Sequence, residues 1–350
     1  MNKSFKIGNF RLGHDRRTFI IAEMSANHIQ NYERAVKIIK KAAWAGADAI
    51  KLQTYTPDTI TLDCDNSYFQ INQGTIWDGT TLHKLYEKAY TPWEWQPRLK
   101  KAAEEEGLIF LSSPFDNTSV DFLEDINVPA YKISSFEIND IPFIEYISAK
   151  KKPLIISTGI AHLCDIEDAL QACRRCGNEN VALLKCTSSY PSPIDKLNLN
   201  TIPNMKETFD VITGLSDHTL YNAVPIAAVA LGAQIIEKHL TLCRSDGGPD
   251  SSFSIEPEEF KEMVDSIRIV EKALGNVSYD LCEEQIKSRQ HSRSLFAVKD
   301  IAENELFTKE NVKSIRPGFG LETKYISKVL GRKSSKRIAK GTPIDWNLIK

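Results

Sequence analysis

The run Val211-Ile212-Thr213-Gly214-Leu215 closes on Ser216-Asp217-His218, and a second run, beginning 23 residues later with Gln234-Ile235-Ile236, closes on Glu237-Lys238-His239. Each run is short, rich in β-branched residues and terminated by polar side chains, which is the signature of a buried strand that ends at a functional surface. The segment between them is almost wholly apolar from 225 onward and long enough for one helix. Two parallel strands need a crossover of this length. Working outward, similar runs occur at 19–22, 49–52, 108–111, 131–133, 154–156 and 181–184. Successive starts lie 30, 59, 23, 23, 27, 30 and 23 residues apart, so all but one interval fits a βα unit. Eight such units predict an α/β fold of the (β/α)8 TIM-barrel type, with an open doubly wound sheet as the alternative. No Gly-x-Gly-x-x-Gly follows the first run, which counts against a dinucleotide-binding version of that alternative.

The long interval holds an insertion, 55–92, which a barrel would carry on its C-terminal face. Thr91-Pro92-Trp93-Glu94 within it predicts a helix start, with Thr91 as N-cap. A helix is predicted over 258–274, ended by Gly275, and a linker helix over 277–289. Beyond that point two similar phrases, Lys299-Asp300-Ile301-Ala302-Glu303-Asn304 and Lys336-Arg337-Ile338-Ala339-Lys340-Gly341, suggest a small β-rich module with pseudo-twofold symmetry. The expected division is 1–280 for the barrel and 281–350 for the module.

Of the 350 residues, 44 are Lys or Arg and 46 are Asp or Glu, a net charge of −2. That excludes a nucleic-acid binder relying on bulk basic charge. The apolar share of 42% excludes long disorder. No apolar run approaches the roughly 20 residues of a membrane span, and the mixed, charged segment 1–17 predicts no secretory leader. The expected location is cytoplasmic. Seven cysteines, an odd number, read as reduced thiols. Cys173 and Cys176 have CxxC spacing but lack the second pair that a zinc site needs.

Three themes emerge at the strand ends. Lys51, Lys132 and Lys185, beside serines and threonines, suit a phosphate or carboxylate, or ion pairs with nearby glutamates. His218 and His239, ending adjacent strands and each next to a carboxylate (Asp217, Glu237), suit a divalent metal with positions left open. Glu23, Glu137, Glu237 and Asp250 are candidate acids, bases or acceptors. His14, His83, His162 and His291 lack such a setting and read as surface or structural. Trp93 and Trp95 read as packing residues.

The same residues carry a family likeness. Ala22-Glu23-Met24-Ser25-Ala26-Asn27-His28, Ile50-Lys51-Leu52-Gln53-Thr54, Ser112-Ser113-Pro114-Phe115-Asp116, Tyr131-Lys132-Ile133, Ser157-Thr158-Gly159, Ser216-Asp217-His218-Thr219, Glu237-Lys238-His239 and Gly248-Pro249-Asp250 occur in the order found in sialic acid synthases. Arg293-Ser294-Leu295 and Ile315-Arg316-Pro317-Gly318 continue the match in the C-terminal module. The chain thus resembles the sialic acid synthase family, and its module resembles that family's antifreeze-like (SAF) domain. Gln53-Thr54-Tyr55-Thr56-Pro57-Asp58, Trp77-Asp78-Gly79, Thr91-Pro92-Trp93-Glu94-Trp95 and Ser135-Phe136-Glu137 are most similar to the pseudaminate-forming branch. The neuraminate and legionaminate branches are the nearest competitors.

The resemblance implies a transferase that joins phosphoenolpyruvate to an acetamido sugar, 2,4-diacetamido-2,4,6-trideoxy-altrose in that branch. It implies catalytic roles for Glu23, Glu237, Lys51 and Lys132. Lys51, Ser113, Lys132, Ser135, Ser157, Ser188 and Tyr190 would hold phosphoenolpyruvate. Glu23, Gln53, Asp250 and Arg316 would meet the sugar. His218 and His239 would bind a divalent ion (Mn2+, Mg2+ or Co2+). Arg316 would act on the barrel of a second subunit, in a domain-swapped homodimer. The family usually has a glycine near Gln30 and Asn31, often an asparagine where Ser188 stands, and often a threonine where Ser113 stands. A barrel aldolase working through a lysine Schiff base, and a silent sugar- or ice-binding protein, are the competing readings.

Overall fold

The eight apolar runs form eight strands that close on themselves. The computed structural model describes residues 1–13 and 17–350; His14 lies outside the described residues. A hairpin comes first, β1 (Phe5–Ile7) and β2 (Phe10–Leu12). The barrel follows as β3 (Phe19–Glu23), β4 (Ala49–Thr54), β5 (Ile109–Pro114), β6 (Tyr131–Ile133), β7 (Leu154–Ser157), β8 (Val181–Cys186), β9 (Ile212–Asp217) and β10 (Ile235–His239). Every neighbour is parallel, and β10 pairs back onto β3. This closure excludes the open doubly wound sheet.

The strands alternate inside and outside, and each set has its own core. Ile20 and Ala22 of β3 face outward, into a layer shared with the helices. Phe19 and Ile21 face the barrel interior, where they meet Ala49, Leu111 and Ile235. The helix Tyr32–Trp44 shows how the outer layer is built. The Asn31 side chain caps it by accepting from the Arg34 amide, and Ala35, Ile38, Ile39 and Ala42 form its buried stripe. The chain then turns through Gly46 at φ +87°, a left-handed conformation that favours glycine.

Two expected helix starts differ. Thr91 does not cap a helix: a 3-10 turn, Trp93–Trp95, precedes the helix Gln96–Glu105. The Thr91 hydroxyl instead pairs with His28 Nε2 at 3.1 Å, a tertiary partner that competes with the local one. The linker helix is confined to Glu283–Ser288, because the Gln285 side chain accepts from the Cys282 amide and fixes the start there. The Cys173–Cys176 pair lies at the end of the helix Leu163–Arg175, where burial pushes the Cys173 thiol up to about 11.

The chain divides into two compact units, Met1–Gly275 and Asn276–Lys350. In the second, β11 (Ser294–Ala297) pairs antiparallel with β12 (Val312–Ile315). Leu295, Phe307, Val312 and Ile344 are among its core residues. The two repeated phrases meet through equivalent positions: Ile301 and Ile338 exchange amide–carbonyl hydrogen bonds of 2.8 and 2.9 Å. Among the described residues no helix is long and apolar enough to cross a membrane.

Candidate active site

The inner alternation that is apolar at the base of the barrel turns charged at its C-terminal end. Glu23 and Lys51 are register partners on β3 and β4. The Lys51 ammonium lies 2.7 Å from Glu23 Oε2, 3.2 Å from Ser113 Oγ and 3.8 Å from Glu237 Oε1. Lys132, from β6, stands 3.7 Å from the same Glu237 oxygen. All four charges are buried. Burial drives the Glu23 carboxyl up, against the opposing pull of Lys51. Burial also opposes charge on Glu237, yet Lys132 and Lys51 together hold it below the usual range. Lys132 is lowered by burial, whereas Lys51 is raised because Glu23 and Glu237 outweigh its own burial. Apolar residues of similar volume often match or exceed such buried ion networks in stability, by about 1–4 kcal/mol. Four charges at the centre of a barrel are therefore better explained by what they bind than by what they stabilise.

These side chains floor a cavity of about 690 Å³, a size typical of small-molecule sites. Ser135, Ser157, Ser188 and Tyr190 line one side of it. Ser135 Oγ accepts from the Gly159 amide at 3.1 Å, while Ser157 Oγ is buried without a partner. A Cβ on Gly159 would lie 2.1 Å from Ser188 Oγ and 2.7 Å from Ser135 Oγ, so only glycine lets the two hydroxyls converge. Ser113 sits one step back, touching Lys51 but not the cavity.

His218 and His239 also line the cavity, with ring centroids 5.3 Å apart. His218 Nδ1 lies 3.3 Å from the Thr187 carbonyl. A proton donated there leaves Nε2 as a free lone pair, the usual state of a metal-binding imidazole. Burial holds His239 well below the ordinary histidine range, so it is neutral. His239 Nδ1 and Glu237 Oε2 are buried without partners. Burial lowers His218 as well, but Cys186, the Thr187 carbonyl and Asp217 together raise it above the ordinary range. The two imidazoles and an orphaned carboxylate oxygen fit a divalent ion that displaces any proton from His218 and keeps positions for water and substrate. Among the described residues no group of three or more His, Cys, Asp or Glu side chains forms a closed cage. Asp217 is not part of this setting. It faces outward and pairs with Lys238 behind the barrel wall.

The sugar-facing candidates gather on the opposite side. Gln53 Nε2 donates to Glu23 Oε1 at 3.2 Å, and Asp250 accepts from the Ala26 amide at 3.2 Å. Burial raises Asp250, although hydrogen bonds from Ser25 and Ala26 act against it. Glu137 lines the cavity with an unpartnered buried oxygen, and burial pushes its carboxyl up to about 7. Arg316 is exposed in the second unit. Lys185 is not at the cavity. It is outward-facing, and its ammonium donates to the Cys186 carbonyl at 2.6 Å.

The sequence reading gives several cavity residues no site role, among them Cys186, Phe253 and Trp77. Cys186 lies 3.9 Å from His218 Nδ1, and although burial opposes its ionisation, His218 helps bring the thiol down to about 7. Strict period-two counting along 182, 184 and 186 selects Cys186 in place of Lys185. Phe253 stands edge-on to His239 at 5.0 Å. Trp77, in the insertion, donates from its indole to the Pro249 carbonyl at 2.8 Å and packs on Tyr190. No local signal marks Phe253, whose ring partners lie elsewhere in the chain, and Trp77 is marked only through the family likeness of Trp77-Asp78-Gly79.

The sequence pattern of the NeuB family matches residues 38–279, and that of the SAF domain matches residues 292–350. The chain belongs to the NeuB family. It is 48% identical to the pseudaminic acid synthase of Campylobacter jejuni, over 96% of this chain and 97% of that protein. It is 35% identical to the N,N'-diacetyllegionaminic acid synthase of the same organism, over 92% and 97%. The crystal structure of the Bacillus subtilis spore coat polysaccharide biosynthesis protein SpsE superposes with a TM-score of 0.68 at 32% identity, covering 99% of both chains.

Proposed function

We propose that this chain is a pseudaminic acid synthase, condensing phosphoenolpyruvate with 2,4-diacetamido-2,4,6-trideoxy-altrose. The observation that carries the reading is its much greater likeness to the pseudaminic acid synthase than to the legionaminic acid synthase. The charged cavity floor supports the chemistry. Lys51, backed by Ser113, and Lys132 hold the anionic groups of phosphoenolpyruvate, with Ser135, Ser157, Ser188 and Tyr190 offering hydroxyls to the remaining oxygens. Glu23, Gln53 and Asp250 orient the sugar hydroxyls and amides. His218 and His239 are the residues that would hold a divalent ion, Mn2+, Mg2+ or Co2+, which supplies Lewis-acid polarisation of the aldehyde oxygen.

C3 of phosphoenolpyruvate attacks the aldehyde carbon, forming the new C–C bond, and the aldehyde oxygen takes up a proton. Water adds at C2, giving up a proton to a carboxylate, for which the unpartnered Oε2 of Glu237 is well situated. The tetrahedral carbon then expels inorganic phosphate and becomes the ketone of the product. Arg316 supplies a contact to an N-acyl group from the second unit of a partner copy, in a domain-swapped homodimer.

The test is a panel of sugars supplied with phosphoenolpyruvate and Mn2+, read by phosphate release and product mass. Turnover of the trideoxy-altrose is expected. Turnover of N-acetylmannosamine alone would move the enzyme to the neuraminate branch.

A further inference from the structure

The helix Leu82–Ala89 carries an apolar stripe with no core to bury it. Leu82, Leu85, Tyr86 and Ala89 occupy positions i, i+3, i+4 and i+7, the spacing of a face that normally packs inward. Yet no residue of the helix is buried. All four line the cavity, joined there by Ile60 and Ile71 of the same insertion. The cavity therefore has two chemically contrasting sides: the barrel supplies the ions and imidazoles, and the insertion supplies a largely apolar wall, in which Tyr86 packs on Tyr55 and Gln73 and Thr75 are the polar neighbours. A half-exposed apolar wall inside a substrate cavity is stabilised when apolar groups of the ligand cover it.

We propose that this wall seats the methyl groups at the far end of the sugar, the C6 methyl and the acetyl methyl at C4, and thereby selects a 6-deoxy, diacetamido substrate. The inference rests on the reaction proposed above. The aldehyde end of the sugar must meet the polar floor, where His218, His239 and Lys51 are found. The end bearing C4 to C6 is then the part left to reach the wall. A hydroxyl at C6 would be desolvated against Leu82, Leu85, Ala89, Ile60 and Ile71, none of which can receive it; the Tyr86 phenol is the one polar group on the stripe.

The experiment compares kcat/KM of the metal-loaded full chain for three sugars: the trideoxy-altrose, its 6-hydroxy counterpart, and its counterpart with a hydroxyl in place of the C4 acetamido group. Wild type is expected to lose about ten- to a hundredfold on the 6-hydroxy sugar, the range in which an apolar pocket discriminates. Leu85→Asn should lower kcat/KM for the trideoxy sugar about tenfold through the sugar KM, and narrow the preference over the 6-hydroxy sugar. Its phosphoenolpyruvate KM should be unchanged, and Leu85→Met should keep the preference. The C4 analogue shows whether the acetyl methyl shares the wall: a loss there that Leu85→Asn also reduces supports the two-methyl seat. Equal use of the 6-hydroxy and trideoxy sugars by wild type overturns the proposal, and so does a preference that Leu85→Asn leaves intact. Should Leu85→Asn fail to fold, the wild-type comparison decides alone. Absence of any turnover of the trideoxy sugar is a different result, and it would refute the proposed reaction itself.

Discussion

Glu23 and Lys51 face each other from adjacent strands, paired in register, with their charged atoms 2.7 Å apart and both side chains withdrawn from water. Removing one member of such a pair strands the other. The two losses are unequal here, because Lys51 keeps a second carboxylate, Glu237, at 3.8 Å. Lys51→Met is expected to destabilise by about 3–5 kcal/mol, and Glu23→Gln by clearly less, in urea denaturation. Glu23→Gln should still lower kcat/KM for the sugar by up to about a hundredfold, as misplacing a substrate does. Equal stability losses in the two variants would contradict the network.

The two imidazoles make a separate prediction about metal. His239→Ala should abolish activity and weaken Mn2+ binding, followed directly by calorimetry or by the spin resonance of free Mn2+. The circular dichroism spectrum should stay that of wild type. Chelation should inactivate the wild-type enzyme, and added Mn2+ should restore it. An alanine variant that binds Mn2+ as tightly as wild type would remove His239 from the site.

Glu137 links stability to pH. Its carboxyl is raised by burial from 4.5 to about 7 in the folded chain. Between those values the folded state holds a proton that the unfolded state has released, so stability falls as pH rises through this window and levels off above it. The loss amounts to at most about 3 kcal/mol. Glu137→Gln cannot ionise, and its stability relative to wild type should grow between pH 5 and pH 8. Parallel stability profiles for the two proteins would show that the carboxyl titrates normally.

Arg316 should affect the sugar and not phosphoenolpyruvate. Arg316→Ala is expected to raise the sugar KM roughly tenfold, with the phosphoenolpyruvate KM unchanged. Light scattering should give twice the chain mass. A monomer of full activity would rule out the shared site.

The barrel was legible because each of its units repeats the same local grammar. A β-branched run, a polar terminus and an amphipathic helix recur along the chain, and the observed strands fall within a residue or three of the runs read from sequence. The charged ring was legible for the same reason, since strand ends are countable. Other features depend on distant partners. Thr91 has a cap-like context, yet His28 claims its hydroxyl. Asp217 and Lys185 are near the right place but on the wrong face, which only strict alternation reveals. The β1–β2 hairpin is made of three-residue strands, too short to leave a periodic signal.

That hairpin carries a kinetic consequence. Phe5, Ile7 and Leu12 join Phe19 and Ile235 in the inner core and stopper the N-terminal end of the barrel. Among the described residues the hairpin closes that end, and the cavity lies at the other, where Trp77 reaches across to Pro249. A molecule lying on the charged floor cannot be overtaken by one lying above it. On the substrate placement proposed above, the floor ligand is expected to bind first, an order that initial-rate kinetics with product inhibition would show.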